Sequence, residues 1–313
     1  MLRFFIKRLL HAVPVIFGVA TIVFILIHLI PGDPVDLMMG EGTASIDRDR
    51  VRALLGLDAP LHIQYIHFWR NIFNGTWGES FVHARPVLSL ILEHFPTTLL
   101  LALSSLSLAM LISFPLGVLA AAKTGSWMDT GATLFALVGM SLPLFVVAPL
   151  AILYFSIHLR WLPVSGAESF RHLLLPMTCL ALGLSALLTR MVRNSMLENL
   201  NEDYVRTARA KGLSRPAVLF RHTLRNALIP VVTILAGMLG SLLAGAVVTE
   251  TLFDWPGLGG LFLKAFQSRD FPLVQGITLW VSVFYVLVSV VLDVVYSALD
   301  PRIRFDSRES RAR

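Results

Sequence analysis

Six long apolar runs constrain this chain more than any other feature. They cover about 9–30, 97–122, 132–157, 172–189, 227–249 and 272–299, each close to or above the roughly 20 residues an α-helix needs to cross a hydrocarbon layer about 30 Å thick. A segment in lipid must satisfy its backbone donors and acceptors internally, so runs of this length fold as helices rather than open strands. Composition agrees: 56% of the 313 residues are hydrophobic and 15% charged, against about a quarter charged in ordinary soluble domains. The expected fold class is all-α, a polytopic integral membrane bundle of six transmembrane helices. Pro143 and Pro149 mark expected kinks, and Pro176 a kink or a first-turn position.

Charge placement gives an expected topology. The first run follows Arg3, Lys7 and Arg8 as a secretory signal would, but it is too long and ends in "PGDP" without a small-residue cleavage site, so it reads as a retained helix. With the N-terminus inside, the same side receives Lys123, the arginine-rich segment 190–226 and the arginines beyond Asp300, which together hold most of the 26 basic residues. The other side takes most of the acids, including Asp33, Asp36, Glu41, Asp47, Asp49, Asp58, Glu79 and Glu93. The positive-inside rule then places both termini of the multi-pass protein in the cytoplasm. The net charge of +6 is explained by topology, and no nucleic-acid partner is expected. Residues 31–96 form an external insertion between the first two spans. Its Leu54, Leu55, Leu57, Tyr65, Phe68, Trp69 and Phe73 recur near helical spacing, so it is expected to fold as a cap on a single integral domain, 1–313.

The chemistry a self-sufficient transporter needs is missing from the pattern. Ion-coupled carriers place ionisable groups within the bilayer, yet the middles of the runs hold no Asp, Glu, Lys or Arg; His11, His28, Glu250 and Asp293 lie at or near run ends. No GxxxxGK[ST] loop and no HExxH pair occurs. Cys179 stands alone inside an apolar run and reads as a small buried hydrophobe. The histidines at 62, 67, 83, 94, 158 and 172 lack metal-ligand spacing, so no metal site is expected. What remains is a non-enzymatic scaffold that opens and closes a path when something outside the membrane moves it. A stand-alone ion-coupled carrier is the alternative from a different class.

The segment 190–226 is where such a push would be received. It is too polar to enter the bilayer, and its pattern predicts two short helices divided by Gly212. The first, about Glu202 to Lys211, carries acids at its start and cations at its end, as the helix dipole favours, with Gly212 suited to a left-handed stop. Ser214 then caps a second helix with Pro216 in its first turn and Val218, Phe220, Leu224 and Leu228 on an apolar face. Thr207, Ala208 and Ala210 beside Gly212 permit close approach of another protein, whereas a loop meant only for anionic lipid would need only the cations.

The run "TARAKGLSRPAVLFRHTLRNALIP" from Thr207 resembles the cytoplasmic coupling loop, often called the EAA loop, of ATP-binding cassette importer permeases of the dipeptide, oligopeptide, nickel and glutathione branch. Further likeness lies in "MLRFFIKRLL" at the start, "PGDP" at 31–34, "LGLDAPLHIQY" at 55–65, "WGES" at 77–80, "WLPVSG" at 161–166, "FDWPGLG" at 253–259 and "LDPRIR" at 299–304. Thr207, Ala208 and Arg209 match the EAA triplet, of which Ala208 alone keeps the general letter, and Gly212 matches the loop's glycine. Where the broader pattern closes with Leu-Pro, this chain has Leu224 and Arg225, with its proline at Pro230.

The resemblance implies that Thr207, Ala208, Arg209, Ala210, Lys211 and Gly212 seat against a cytoplasmic ATPase subunit. It also implies the partners: a second homologous permease, two ATP-binding subunits that hold ATP and magnesium, and an extracytoplasmic substrate-binding protein. No cofactor belongs to this chain. The implied cargo is di- or oligopeptide, with nickel chelates or glutathione as the alternative. In the fifth span Gly237, Ser241 and Gly245 line one smooth face, which packs within the chain, lines the path or meets the second permease. Glu250 and Asp254 form an acidic pair that suits contact with the binding protein or cationic cargo; an ordinary solvated loop is the alternative.

Overall fold

The computed structural model describes residues 2–29, 35, 52 and 56–299. These are helical nearly throughout, in the order α1 (Leu2–Leu29), α2 (Leu61–Phe73), α3 (Val87–Ala122), α4 (Trp127–Ser141), α5 (Leu144–Ala151), α6 (Phe170–Leu200), α7 (Asp203–Ala210), α8 (Leu224–Gly245), α9 (Val247–Leu252), α10 (Leu258–Gln267) and α11 (Phe271–Leu299). π-helical turns extend two of them: Ile152–His158 follows α5, and Ala217–Thr223 leads into α8 without a break. Among the described residues the one β-like feature is a bridge between Glu79 and Pro86.

Four helices are long and apolar enough to cross a bilayer: Val87–Ala122, Phe170–Leu200, Ala217–Leu243 and Phe271–Leu292. The run predicted as a single span over 132–157 is instead two helices, α4 and α5 with its π-turn, bent by 97°. Leu142 is extended, and Pro143, which offers no N–H to continue the ladder, caps α5 from an extended conformation. Counted as one broken span, this pair brings the described spans to five. With α1, whose shorter apolar stretch is Val13–Ile25, the helices are compatible with six crossings.

Three predicted boundaries move, two because burial outweighs a local signal and one because a cap sets it. α3 starts at Val87, not at 97, and runs through Pro96, since Val87, Leu90 and Ile91 of its first turns are among the most buried side chains in the chain. α6 continues eleven residues past 189 because Val192, Ser195 and Met196 keep one face buried. It also starts at Phe170, behind Ser169, whose backbone N–H donates to His172 Nδ1 at 3.2 Å. Pro176 therefore sits in the second turn, not the first. The second short helix expected after Gly212 is absent as a separate element: residues 215–223 are the start of α8, where Thr223 Oγ1 donates to Val218 O at 3.0 Å. The wider π-turn shifts the apolar period, so Val218 is buried while Phe220 is 60% exposed.

The residues group into two compact units. In the first, Met1–Thr98 with Pro256–Val286, the core interleaves Val87, Leu90 and Ile91 of α3, Leu258 and Leu261 of α10, and Leu273 and Ile277 of α11. α2 buries no residue fully; it lies on α1 through aromatic contacts, Phe17 stacking on Trp69 at 4.7 Å and Phe24 meeting Tyr65 edge-on at 5.1 Å. Leu57, Tyr65, Phe68, Trp69 and Phe73 fall among the described residues, whereas the expected cap residues Leu54 and Leu55 lie outside them. A pin holds the turn after Trp77: the buried Asp270 carboxylate accepts the Ser80 hydroxyl, Phe81 N–H at 3.1 Å and Val82 N–H at 3.3 Å.

The second unit, Leu99–Trp255 with Leu287–Arg313, is built on α6. α4 approaches it so closely that a Cβ on Gly139 would lie 2.6 Å from Ala186 Cβ. α5 packs on α6 through Ala148, Leu175, Cys179 and Phe253. An apolar crevice of about 550 Å3 opens at the α4–α5 bend, lined by Val138, Leu142, Leu144 and Cys179 among others. The motif "MLRFFIKRLL" is described only as backbone of α1 from Leu2 up to residue 9, "LDPRIR" lies outside the described residues beyond Leu299, and so does the side chain of Asp293.

Candidate functional site

The site begins where α6 ends. Leu200 gives way to Asn201, whose N–H is held by Glu198 O at 3.3 Å, and Glu202 is extended so that α7 can start at Asp203 in a new direction. Tyr204 Oη donates to Asn199 Oδ1 at 2.9 Å, and Asn199 Nδ2 donates to Ser195 O at 2.9 Å, so the short helix is tied back to the long one.

α7 ends in a Schellman motif. Gly212 N–H donates to Arg209 O at 3.0 Å and Leu213 N–H to Ala208 O at 3.3 Å, with Gly212 at φ +75°. These are the 5→2 and 6→1 bonds of that motif, and a left-handed residue is what it requires. The expected stop at Gly212 is thus present.

The triplet divides by exposure. Ala208 is 5% exposed and closes a small core with Val205 and Val218, flanked by Leu200 and Tyr204. Thr207, Arg209, Ala210, Lys211 and Gly212 are all exposed on the opposite face. The resemblance implied an ATPase contact for all six; within this chain Ala208 is turned inward and the other five are exposed. Arg209 also lines, with Arg215, Leu213, Ala121 and Ala122, a cavity of about 380 Å3 behind α7. What the arrangement offers chemically is a rigid, cationic knob with small side chains at its tip.

On α8, Gly237 and Ser241 are exposed, and a Cβ added at Gly237 would meet nothing within 4 Å. The smooth face is therefore not consumed by packing within the chain at these two positions. Gly245 is the last residue of α8, and its surroundings lie outside the described set.

The acidic pair is not a surface pair. Glu250 is 1% exposed within α9, whereas Asp254 is exposed at φ +45°. The turn that separates them folds back through Trp255 N–H, which donates to Glu250 O at 2.8 Å, carrying Phe253 and Trp255 inward and Asp254 outward. The expected acidic pair is therefore split, Glu250 buried within this chain and Asp254 at its surface.

Sequence reasoning missed the bidentate pair of Asp129 on α4 and Arg193 on α6, with Arg193 Nη2–H donating to Asp129 Oδ2 at 3.0 Å. The Ser80–Asp270 pin was missed as well. Both join residues far apart in the chain and leave no local periodic signal.

The described residues form a multi-span helical scaffold with an exposed cationic loop at the end of α6, the architecture of a membrane transport subunit. The comparisons state the same. Residues 1–102 match the model for the N-terminal part of binding-protein-dependent transport system membrane components, and residues 113–305 match the binding-protein-dependent transport system inner membrane component. The glutathione transport system permease protein GsiC of Escherichia coli strain K12 is 41% identical over 305 residues, covering 97% of this chain and all of that protein. Its counterpart in Salmonella typhimurium strain LT2 is 40% identical with the same coverage.

Among solved structures, the MetNI methionine transporter in an inward-facing conformation superposes with a TM-score of 0.54 at 18% identity, covering 68% of this chain and 97% of that one. An amino acid transporter with histidines gives 0.53 at 15% identity, covering 67% and 94%; at these identities the likeness speaks for the fold. The chain belongs to the binding-protein-dependent family of ATP-binding cassette importer permeases. It is a multi-pass inner-membrane transport subunit that works with partner subunits, and it is not itself an enzyme.

Proposed function

We propose that this chain forms, with a second homologous permease, the path by which an ATP-driven importer takes up small peptides delivered by an extracytoplasmic binding protein. The observation that carries the mechanism is the geometry of α7: five exposed residues around Gly212 held rigid by an inward-turned Ala208. Two ATP-binding subunits, which hold ATP and magnesium, seat these knobs from the cytoplasm. Closure of the ATPase pair on ATP draws the knobs together, and hydrolysis resets the path. Both termini lie in the cytoplasm, and the insertion 31–96 and the loop that carries Asp254 lie on the side of the binding protein. The exposed Gly237–Ser241 face of α8 supports a role at the path or at the second permease.

Cargo is read from the relatives. Their glutathione is itself a tripeptide, so peptide-class solute is favoured and glutathione is its first candidate. The test is uptake by the purified assembly in proteoliposomes loaded with ATP. Radiolabelled glutathione and dialanine are supplied with the binding protein, and nickel-histidine chelate serves as the contrast. ATP-dependent accumulation of either peptide supports the reading, and accumulation of the chelate alone overturns it.

A further inference from the structure

The α4–α6 contact rests on small residues. Gly139 lies against Ala186, and such a smooth seam permits two helices to slide along each other. One charged contact breaks that smoothness. Asp129, 7% exposed in the first turn of α4, accepts both Arg193 Nε–H and Nη2–H, and its Oδ2 also accepts the Gly125 N–H at 3.0 Å. A fork of two parallel N–H···O bonds fixes angle as well as distance, and the Gly125 bond fixes the loop that joins α3 to α4.

Arg193 stands in the stretch of α6 that holds everything leading to the loop. Val192 is buried against Gly117 of α3, Ser195 Oγ donates to Ala227 O of α8 at 2.8 Å, and Asn199 accepts Tyr204 of α7. A displacement of α7 thus reaches α6 through bonds of fixed direction, and the Asp129–Arg193 fork is the polar bond that hands it to α4. The far end of α4 is the 97° break at 141–144.

We propose that Asp129 and Arg193 are positioning residues for energy coupling: their fork locks the register of α4 to α6, so that motion imposed on α7 is delivered to the broken span. This rests on the importer reading given above.

The assembly, purified with its partner subunits and reconstituted in proteoliposomes, reports the ATP hydrolysed per solute taken up, with glutathione or dialanine as the solute the wild type carries. Asp129→Asn and Arg193→Lys keep side-chain size but lose the fork, and each raises that ratio roughly two- to thirty-fold. The exchange Asp129→Arg with Arg193→Asp restores opposite charge and recovers about half of the loss, its Gly125 bond being absent. Detergent stability of each assembly is read in parallel, since a merely structural pair would lower stability and assembly while leaving the ratio of the assembled fraction at the wild-type value. A wild-type ratio in assembled single variants overturns the proposal, as does an exchange that restores assembly but not the ratio. A wild-type assembly that takes up neither solute with ATP defeats the importer reading itself and removes the basis of this one.

Discussion

At residue scale the account turns on Gly212 and Ala208. Gly212 lies at φ +75° with nothing within 4 Å of an added Cβ, so a side chain there meets backbone strain of about 1 kcal/mol but no clash. Gly212→Asp therefore leaves the subunit inserted and assembled while placing a carboxylate on the knob; uptake falls while ATP hydrolysis persists, measured side by side in proteoliposomes. Thr207 and Ala208 make a sharper pair. Thr207→Trp projects from an exposed position and blocks partner docking without unfolding the loop, so a pull-down loses the ATPases and circular dichroism is unchanged. Ala208→Trp overfills the core with Val205 and Val218, costs about 1–3 kcal/mol, and makes the loop susceptible to limited proteolysis. The left-handed stop was legible because glycine after a cationic helix end has few other readings. The inward turn of Ala208 was not, because it depends on Val218, ten residues on and across the π-turn.

At the scale of elements, the long helices were legible because lipid-length apolar runs admit one local structure, whereas their ends were set by partners. Val87, Leu90 and Ile91 carry the start of α3 ten residues ahead of the expected 97, through Pro96. Val192 and Met196 likewise extend α6 into a segment that reads as loop. The broken span at Pro143 was legible as a kink, but a proline does not state its angle, and the 97° turn is settled by packing of α5 on α6. Two predictions belong here. Gly139→Leu drives a branched side chain into Ala186 and separates α4 from α6, costing about 1–3 kcal/mol and lowering the midpoint of thermal unfolding in detergent. Asp270→Asn replaces a buried carboxylate that accepts one hydroxyl and three N–H groups, of Phe81, Val82 and Leu273, with an amide that cannot accept them all. A loss of about 1–3 kcal/mol follows, seen as faster hydrogen exchange at residues 78–86.

At the scale of the whole molecule, the chain is a permease subunit of the binding-protein-dependent importer family, and on the proposed reading its energy source and cargo recognition lie on other subunits. The expectation of that division came from what the six runs lack, namely a phosphate-cradling loop and charges at mid-membrane depth; the family itself was legible in the motifs spread along the chain. Cargo was not legible, because neither periodicity nor hydropathy records which solute a path admits. The central claim is that α7 is the handle by which ATPases move this subunit. The most direct measurement is an affinity pull-down of the chain from native membranes in mild detergent, with mass spectrometry of what accompanies it, run beside Thr207→Trp. The account predicts a second permease and ATP-binding subunits with the wild type, and loss of the ATP-binding subunits with the variant. Recovery of the chain alone, still transporting without ATP, would contradict it.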